Sequence, residues 1–227
     1  MPVVQLRAVV ALLGRFPALA GVDLEVASGE ALLLQGPNGA GKTSLLRLCA
    51  GLLPVESGRA MVLGHDLTAD RRAVRRDVGM LAHATFLYDD LSVFENVRFW
   101  ARAAGGSTAE AEAAIDRLEI DPRLRDIAVA RLSTGQRRRA SLAVLVARRP
   151  RLWLLDEPHA GLDQSGRDIV DALIRDAVHA GATVLVASHE LDRTRTIASR
   201  VVTIAGGVVV DDRPVGASAV KGGSDVA

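Results

Sequence analysis

Apolar and polar residues follow two periods along this 227-residue chain, and each period predicts one kind of element. Residues 3–10 and 22–27 carry branched apolar side chains at alternating positions, as expected for strands with one buried face. Four short apolar runs without alternation indicate strands buried on both faces. These runs occupy residues 31–34, 78–81, 152–155 and 182–187. A further apolar stretch, residues 201–210, is divided by two glycines and predicts a hairpin.

Helical segments separate most of these strands. Residues 92–104 and 107–119 are predicted to be helices, with Ser92 and the pair Ser107-Thr108 as suitable N-caps. Other helices are predicted at residues 44–50, from 132–136 to about 148, and at 164–179. The alternation of strands with helices predicts an α/β fold, in which a mainly parallel sheet carries helices on both faces.

The same pattern predicts how the chain is divided. Residues 84–147 have an almost entirely helical pattern, which predicts a separate helical lobe inside a domain of residues 1–212. Residues 213–227 are rich in Pro, Gly, Ser and Ala, and we expect a frayed tail there.

One glycine-rich loop lies between the strand at 31–34 and the helix at 44–50. Residues 36–43 read Gly-Pro-Asn-Gly-Ala-Gly-Lys-Thr, which matches the phosphate-binding loop pattern. Glycines allow backbone N–H groups to turn toward phosphate oxygens, Lys42 supplies a compact cation, and the Thr43 hydroxyl suits Mg²⁺. The expected nucleotide contacts are Gly36, Pro37, Asn38, Gly39, Ala40, Gly41, Lys42, Thr43 and Ser44.

Composition narrows the class of protein. The chain has 28 basic residues but only two lysines, so Lys42 stands out in an arginine-rich sequence. A net charge of +1 and 3% aromatic residues argue against nucleic acid as a partner. No apolar run approaches the ~18 residues of a membrane-spanning helix, and no secretory signal pattern is present. Any membrane role is therefore expected to require docking to a spanning partner.

Two adjacent carboxylates end the strand at 152–155. Strand periodicity directs Asp156 and Glu157 to opposite faces, so they can perform different tasks. Asp156 is expected to hold Mg²⁺ through water, completing a site that begins with Thr43. Glu157 is expected to orient or deprotonate the attacking water, and a positioned base contributes about 10²–10⁴ in rate.

Several motifs in order carry a family resemblance. They are the loop at 36–43, Leu-Ser-Thr-Gly-Gln at 132–136, the strand end at 152–157, Ala-Gly-Leu-Asp at 160–163, and His189. From about residue 3 to residue 211 the chain resembles the nucleotide-binding subunits of ABC transporters. This resemblance implies a P-loop NTPase core, an N-terminal antiparallel β part, a helical subdomain, and Mg-dependent ATP hydrolysis coupled to transport.

The resemblance also implies that two copies sandwich two ATP molecules. Ser133, Gly135 and Gln136 of one copy would contact the γ-phosphate held by the loop of the other. The start of a helix suits this contact, because its N–H groups are free and its dipole is positive there. His189 would contact the γ-phosphate, and Asp163 would link the two sites across the interface.

Three positions depart from the family pattern. Thr134 replaces a small residue in the signature, and Leu13 stands where an aromatic side chain usually stacks on adenine. Either Phe16 takes over that stacking or the base is held weakly. His83 stands where most members have a glutamine that senses Mg²⁺ and the membrane partner; an imidazole can hydrogen-bond but also titrates near neutral pH.

His83 also narrows the subfamily. Together with the motifs at 132–139 and 152–158, it looks like the ATP-binding subunit of the haem exporter of cytochrome c biogenesis. Such a subunit would lie at the cytoplasmic face of the inner membrane and drive haem export or haem delivery. His65, His159 and His179 show no ligand pattern and are expected at the surface. Two alternatives remain: an exporter of a drug, lipid or ion, and a soluble ABC-type ATPase of iron–sulfur cluster assembly.

A patch near His83 separates the transporter from the soluble alternatives. Five of the seven aromatic residues fall within residues 84–100: Phe86, Tyr88, Phe94, Phe99 and Trp100. As a group they predict a groove near residues 83–100 that receives a helix of an integral membrane partner. The cluster Arg71, Arg72, Arg75 and Arg76 is expected to be a solvated helix face.

Overall fold

The computed structural model describes residues 2–82 and 85–216. Within them the chain forms two sheets packed with helices. The strands are β1 (Pro2–Leu13), β2 (Phe16–Ala27), β3 (Ala31–Gln35), β4 (Ser57–Val62), β5 (His65–Asp66), β6 (Val78–Leu81), β7 (Leu152–Asp156), β8 (Thr183–Ala187), β9 (Arg200–Ala205) and β10 (Val208–Pro214). The α-helices are α1 (Lys42–Cys49), α2 (Leu67–Asp70), α3 (Val93–Ala103), α4 (Thr108–Arg117), α5 (Thr134–Arg148), α6 (Gln164–His179) and α7 (Leu191–Arg195). Short 3-10 turns occupy Ala73–Arg76, Pro122–Leu124 and Val129–Arg131.

The larger sheet has the strand order β10-β9-β3-β8-β7-β6. Its strands β9, β3, β8, β7 and β6 are parallel, and β10 joins as the second strand of the predicted hairpin. β7 and β8 are buried throughout, as their continuous apolar runs predict. Because β8 lies between β3 and β7, the loops that follow these three strands meet at one edge of the sheet. The mainly parallel α/β core is confirmed.

Each face of this sheet has its own apolar core. Leu185 of β8 faces the core that also contains α1, whereas Val184 and Val186 face the core built from α3 to α6. This alternation along a single strand places helices on both faces. Cys49 belongs to the first core, where burial raises the pKa of its thiol to about 12, so it is a packing residue.

The smaller sheet is antiparallel, with the order β2-β1-β4-β5, and it confirms the N-terminal β part. Its first hairpin is longer than residues 3–10 and 22–27 predict, because β1 reaches Leu13 and β2 begins at Phe16. Irregular pairing explains the difference. Ala8 has a φ of 48°, and the register shifts between Leu6 and Val9, which interrupts the alternation that marks a strand in sequence.

Three helices, α3, α4 and α5, form the helical region between β6 and β7. Ser92, Ser107 and Ser133 begin them as N-caps, each in a reciprocal capping box with a residue three positions later. The N-caps predicted at Ser92 and Ser107 are therefore confirmed. At the other end of the chain, β10 includes Arg213 and Pro214, which the composition assigned to the tail. Among the helices of residues 2–82 and 85–216, none is long and apolar enough to cross a bilayer.

Candidate functional site

The loops after β3, β7 and β8 line a common cavity of about 390 Å³. Its lining residues are Leu13, Phe16, Pro17, Ala18, Asn38, Gly39, Ala40, Gly41, Lys42, Thr43, Ser44, Asp156, Glu157 and His189. Residues more than 110 positions apart in sequence thus converge at the carboxyl edge of the sheet, which is where open α/β sheets bind ligands.

The phosphate-binding loop is held by backbone geometry that only glycine allows. Gly36 has a φ of 141°, and a Cβ there would lie 2.0 Å from the carbonyl oxygen of Ile204. Gly41 caps α1 in the left-handed region at a φ of 113°. Because Gly41 has no side chain to cap the helix, the N–H groups of the first turn are left for an anionic ligand.

Lys42, Thr43 and Asp156 supply the polar atoms of the cavity floor. The Lys42 side chain is buried, and its Nζ donates to the carbonyl oxygens of Gly36 at 2.7 Å and Pro37 at 3.0 Å. Thr43 Oγ1 donates to Asp156 Oδ2 at 2.9 Å. The hydroxyl and the carboxylate predicted to share a magnesium ion are therefore neighbours.

This pair fits Mg²⁺ by its chemistry. Hydroxyl and carboxylate oxygens are hard donors, and Mg²⁺ in nucleotide sites takes its remaining ligands from water and phosphate. Within the described part of the chain, no group of three or more His, Cys, Asp or Glu residues could hold a metal ion by itself. A metal at Thr43 and Asp156 would accordingly be completed by ligands that accompany the nucleotide.

Glu157 lies beside Asp156 but faces a different partner. Its backbone N–H donates to the carbonyl oxygen of Ala187 at 2.8 Å, and its φ is 49°, a left-handed value that costs on the order of 1–3 kcal/mol for a side chain of this type. His189 Nε2 lies 3.3 Å from Glu157 Oε1, and the His189 backbone N–H donates to Oε2 at 3.2 Å. Both carboxylate oxygens are thus oriented by the loop after β8.

The signature residues occupy a separate place in the chain. Ser133 Oγ accepts from the Gln136 backbone N–H at 3.3 Å, and Gln136 Oε1 accepts from the Ser133 N–H at 2.9 Å. Gly135 packs so closely that a Cβ would lie 2.8 Å from the carbonyl oxygen of Gly161. Among the described residues, those lining the nucleotide cavity include none from this signature.

Asp163 begins α6 and is tied to α5. It accepts from the Gly166 N–H at 2.9 Å and pairs with Arg139 Nη2 at 3.0 Å. The Gly166 hydrogen bond first, and Arg139 second, lower the pKa of this exposed carboxyl. Asp163 is therefore an anion at neutral pH, close to the signature helix of its own chain.

Arg138 belongs to the motif at 132–139, but the sequence analysis gave it no role beside the carboxylates. It is buried, donating to the carbonyl oxygens of Ala82 at 2.7 Å and Asp156 at 2.8 Å, and also to that of Glu157. Burial lowers its pKa, and the charges of Asp156 and Glu157 oppose that shift. Helical spacing could have indicated that Arg138 is buried, because positions 138, 142 and 145 share one face of α5 and the last two are leucines.

The histidine predictions have mixed outcomes. His65 and His179 are exposed, as expected. His159 is not a surface residue: its side chain is 1% exposed, and its Nε2 lies 2.9 Å from Asp171 Oδ1. The neighbour of His159 is the buried Asp171 of α6 rather than solvent, and a single sequence does not reveal this contact. His83, with Ala84, lies outside the described residues.

The adenine-stacking question involves two residues at the cavity rim. Leu13 and Phe16 face each other across the turn of the β1–β2 hairpin and are both exposed. Phe16 is the aromatic side chain among the described residues that line the cavity. Phe16 therefore lies where a base could stack, and its substitution for the usual aromatic residue stays a prediction.

The sequence of this chain is similar to those of known proteins. Residues 19–160 match the ABC transporter family. The chain is 40% identical over 183 residues to the cytochrome c biogenesis ATP-binding export protein CcmA of Bradyrhizobium diazoefficiens, covering 81% of this chain and 90% of that protein. It is also 35% identical over 195 residues to the human phospholipid-transporting ATPase ABCA7, covering 84% of this chain but 9% of that protein.

Solved structures agree with the fold. An ATP-binding cassette solved as a dimer in a post-hydrolysis state with ADP and Pi superposes with a TM-score of 0.85 at 24% identity, over 95% of this chain and 100% of that one. Because its sequence matches the family model and its fold is that of an ATP-binding cassette, the chain belongs to the ABC transporter family. It is an ATP-binding subunit that hydrolyses ATP in transport.

Proposed function

We propose that this chain is the motor subunit of a haem exporter, or of a transporter that supports haem delivery for cytochrome c maturation. The observation that carries the motor role is the convergence of Lys42, the Thr43–Asp156 pair and the Glu157–His189 pair on one cavity. The cargo is proposed from the likeness to CcmA over most of both chains. The subunit would work at the cytoplasmic face of the inner membrane, held there by its partner.

Each residue has a role in hydrolysis that its contacts support. Lys42 would exchange its carbonyl partners for the β- and γ-phosphates. Thr43 and Asp156 would hold Mg²⁺, which neutralises charge on the phosphates. Glu157, with both oxygens already oriented by His189, would position the attacking water and accept its proton. His189 would in addition donate to the γ-phosphate.

We infer that the site is completed by a second copy. Ser133, Gly135 and Gln136 stand at the start of α5, outside the cavity formed by their own chain. The capping box uses the N–H groups of Ser133 and Gln136, which leaves those of Thr134 and Gly135 and the positive dipole end of α5 for an anion. In a head-to-tail pair these groups would meet the γ-phosphate of the other copy, and Asp163 would lie at the interface.

The membrane partner is proposed to dock in an apolar groove of about 520 Å³ between the larger sheet and the helical region. Phe86, Tyr88 and Trp100 line it, and Phe86 and Tyr88 are exposed. Phe99 lies outside this lining and packs edge-on against Tyr88 and Trp100, each at a centroid distance of 5.3 Å. Arg75 and Arg148 also line the groove, whose described lining contains no acidic residue. The groove therefore suits a helix with an apolar face and an acidic residue.

The cargo can be tested on the purified complex. The chain is expressed with its membrane-spanning partners, and visible absorbance is recorded with ATP and without it. A haem Soret band that ATP diminishes supports haem export. A complex without haem, whose ATPase activity rises on reconstitution into phospholipid, would instead favour a lipid cargo, the alternative raised by the likeness to ABCA7. Failure to sediment with membranes that contain the partners contradicts both.

A further inference from the structure

A buried polar cluster lies beside the nucleotide cavity and takes no part in the roles assigned above. It consists of His159, on the loop after Glu157, together with Asp171 of α6 and Arg193 of α7. His159 and the Asp171 carboxylate are 1% and 8% exposed, so solvent screens their contact little. These three residues do not line the cavity.

Asp171 uses its two oxygens to join the loop after β7 to helix α7. Its Oδ1 lies 2.9 Å from His159 Nε2, and its Oδ2 lies 2.7 Å from Arg193 Nη2. Arg193 pairs with Asp168 as well. Burial lowers the pKa of Arg193, but hydrogen bonds and charge from Asp171 and Asp168 outweigh it and raise the pKa. An ionised Asp171 can only accept, so His159 Nε2 carries the proton in this contact.

The chain and these contacts together form a closed ring. It runs from Glu157 through His159, Asp171 and Arg193 to His189, which contacts Glu157 again. His159 follows Glu157 by two residues, and Arg193 follows His189 by four. Glu157 and His189 touch each other directly at the cavity. The Asp171 bridge therefore joins the segment after Glu157 to the segment after His189 a second time, outside the lining of the cavity. Two points of attachment on each loop fix the separation and orientation of the Glu157 carboxylate and the His189 ring.

We propose that His159 is a positioning residue for ATP hydrolysis, which acts by holding the Glu157 loop to the His189 loop through Asp171 and Arg193. An apolar side chain would fill the same buried space without the free-energy cost of burying a polar ring. His159 Nδ1 is buried and has no hydrogen-bond partner among the described residues, so the ring bonds to Asp171 through Nε2 while its other nitrogen stays unsatisfied. The proposal rests on the catalytic role proposed for Glu157.

The first test is steady-state ATPase kinetics of His159→Leu and His159→Gln. The leucine variant is expected to lower kcat about 10- to 100-fold with KM for ATP within about two-fold, because small displacements of a reacting group cost rates of this order. Glutamine can return a donor near the Nε2 position and is expected to restore kcat to within about three-fold. His179→Leu, the same change at the exposed end of α6, is the control and should leave kcat unchanged.

A normal kcat in His159→Leu overturns the proposal, and so does a loss that glutamine does not reverse. Arg193→Met removes the other arm of the bridge, because methionine has no N–H donor for Asp171, and must lower kcat similarly. An unchanged kcat there contradicts the proposal even where His159→Leu does not fold.

The second test asks whether His159 acts through Glu157. In a Glu157→Gln background, His159→Leu should change the residual turnover by less than about two-fold, because the group that it positions is already lost. A full additional loss would mean that His159 acts elsewhere, and the proposal would fall. The single Glu157→Gln variant separates the two ideas: its normal turnover contradicts the catalytic role, whereas normal turnover of His159→Leu alone contradicts only the positioning role.

Discussion

Lys42 is the positive charge of the phosphate-binding loop, and it lies buried against the loop's own carbonyl oxygens. We expect Lys42→Ala to raise the Kd for ATP about 10- to 100-fold, because a charge-assisted hydrogen bond contributes about 1.5–3 kcal/mol. Isothermal titration calorimetry measures the change. Lys221→Ala, at the only other lysine, is the control and should bind like the parent. Unchanged affinity in Lys42→Ala would show that ATP binds elsewhere.

Glu157 is held in a left-handed backbone conformation with both carboxylate oxygens in contact with His189. We expect Glu157→Gln to bind ATP normally but to lower kcat about 10²–10⁴-fold, since an amide cannot accept the proton of the attacking water. Phosphate release under saturating ATP measures this. Glu112→Gln, an exposed change on α4, controls for the substitution itself. Near-normal release by Glu157→Gln would remove this residue from the reaction.

Residue-level prediction succeeded where the sequence pattern fixed a position along a known element. Thr43 follows a loop with a defined shape and Asp156 ends a buried strand, and the structure brings the two side chains within hydrogen-bond distance. Their shared magnesium ion stays a prediction. Arg138 and His159 could not be found in this way. Arg138 is one of three consecutive arginines, and its buried contacts depend on which face of α5 meets β7. His159 depends on Asp171, which α6 brings back from twelve residues away.

At the scale of elements, burial on both faces made the central strands predictable. Continuous apolar runs marked β3, β7 and β8 because no position along them meets solvent except near their ends. The extent of the β1–β2 hairpin was not predictable, because its register shifts interrupt the alternation that sequence patterns detect. The arginine cluster is solvated as expected, since Arg72, Arg75 and Arg76 are exposed, but it lies on and beside a short 3-10 turn rather than a longer helix. Arg75 also lines the apolar groove.

The groove itself is an element-level prediction that can be tested. Phe86 is 53% exposed at the groove and contributes little to the core, so Phe86→Ser should leave folding and basal ATPase activity intact. It should weaken binding to the membrane-spanning partner by about tenfold, because an aromatic anchor at an interface contributes on the order of 1–3 kcal/mol. Co-sedimentation with partner-containing membranes measures the loss.

The matched control for this experiment is Val210→Ser. Val210 is 57% exposed on β10 and does not line the groove. The Val210→Ser variant should sediment with the membranes like the parent chain. Equal membrane binding by the two variants would place the docking surface outside the groove.

At the scale of the whole molecule, the two sets of residues that the proposed pair would bring together lie apart on one chain. The cavity gathers the residues proposed to hold phosphate, metal and water, whereas Ser133 and Gly135 stand outside its lining at the start of α5. The family resemblance supplied the idea of a paired site. The geometry of a single chain cannot supply the pairing itself, because the contacts that define it would be made between copies.

The most direct test of this account is the mass of the Glu157→Gln chain in solution, measured by light scattering after gel filtration. With ATP and Mg²⁺, slow hydrolysis should trap the pair, and the measured mass should be twice the 24.0 kDa of one chain. With ADP it should return to a single chain, because ADP lacks the γ-phosphate that the signature is proposed to bind. A further change, Ser133→Arg, should prevent pairing with ATP by blocking the signature surface. A single-chain mass with ATP, or a pair that forms equally well with ADP, would contradict the account.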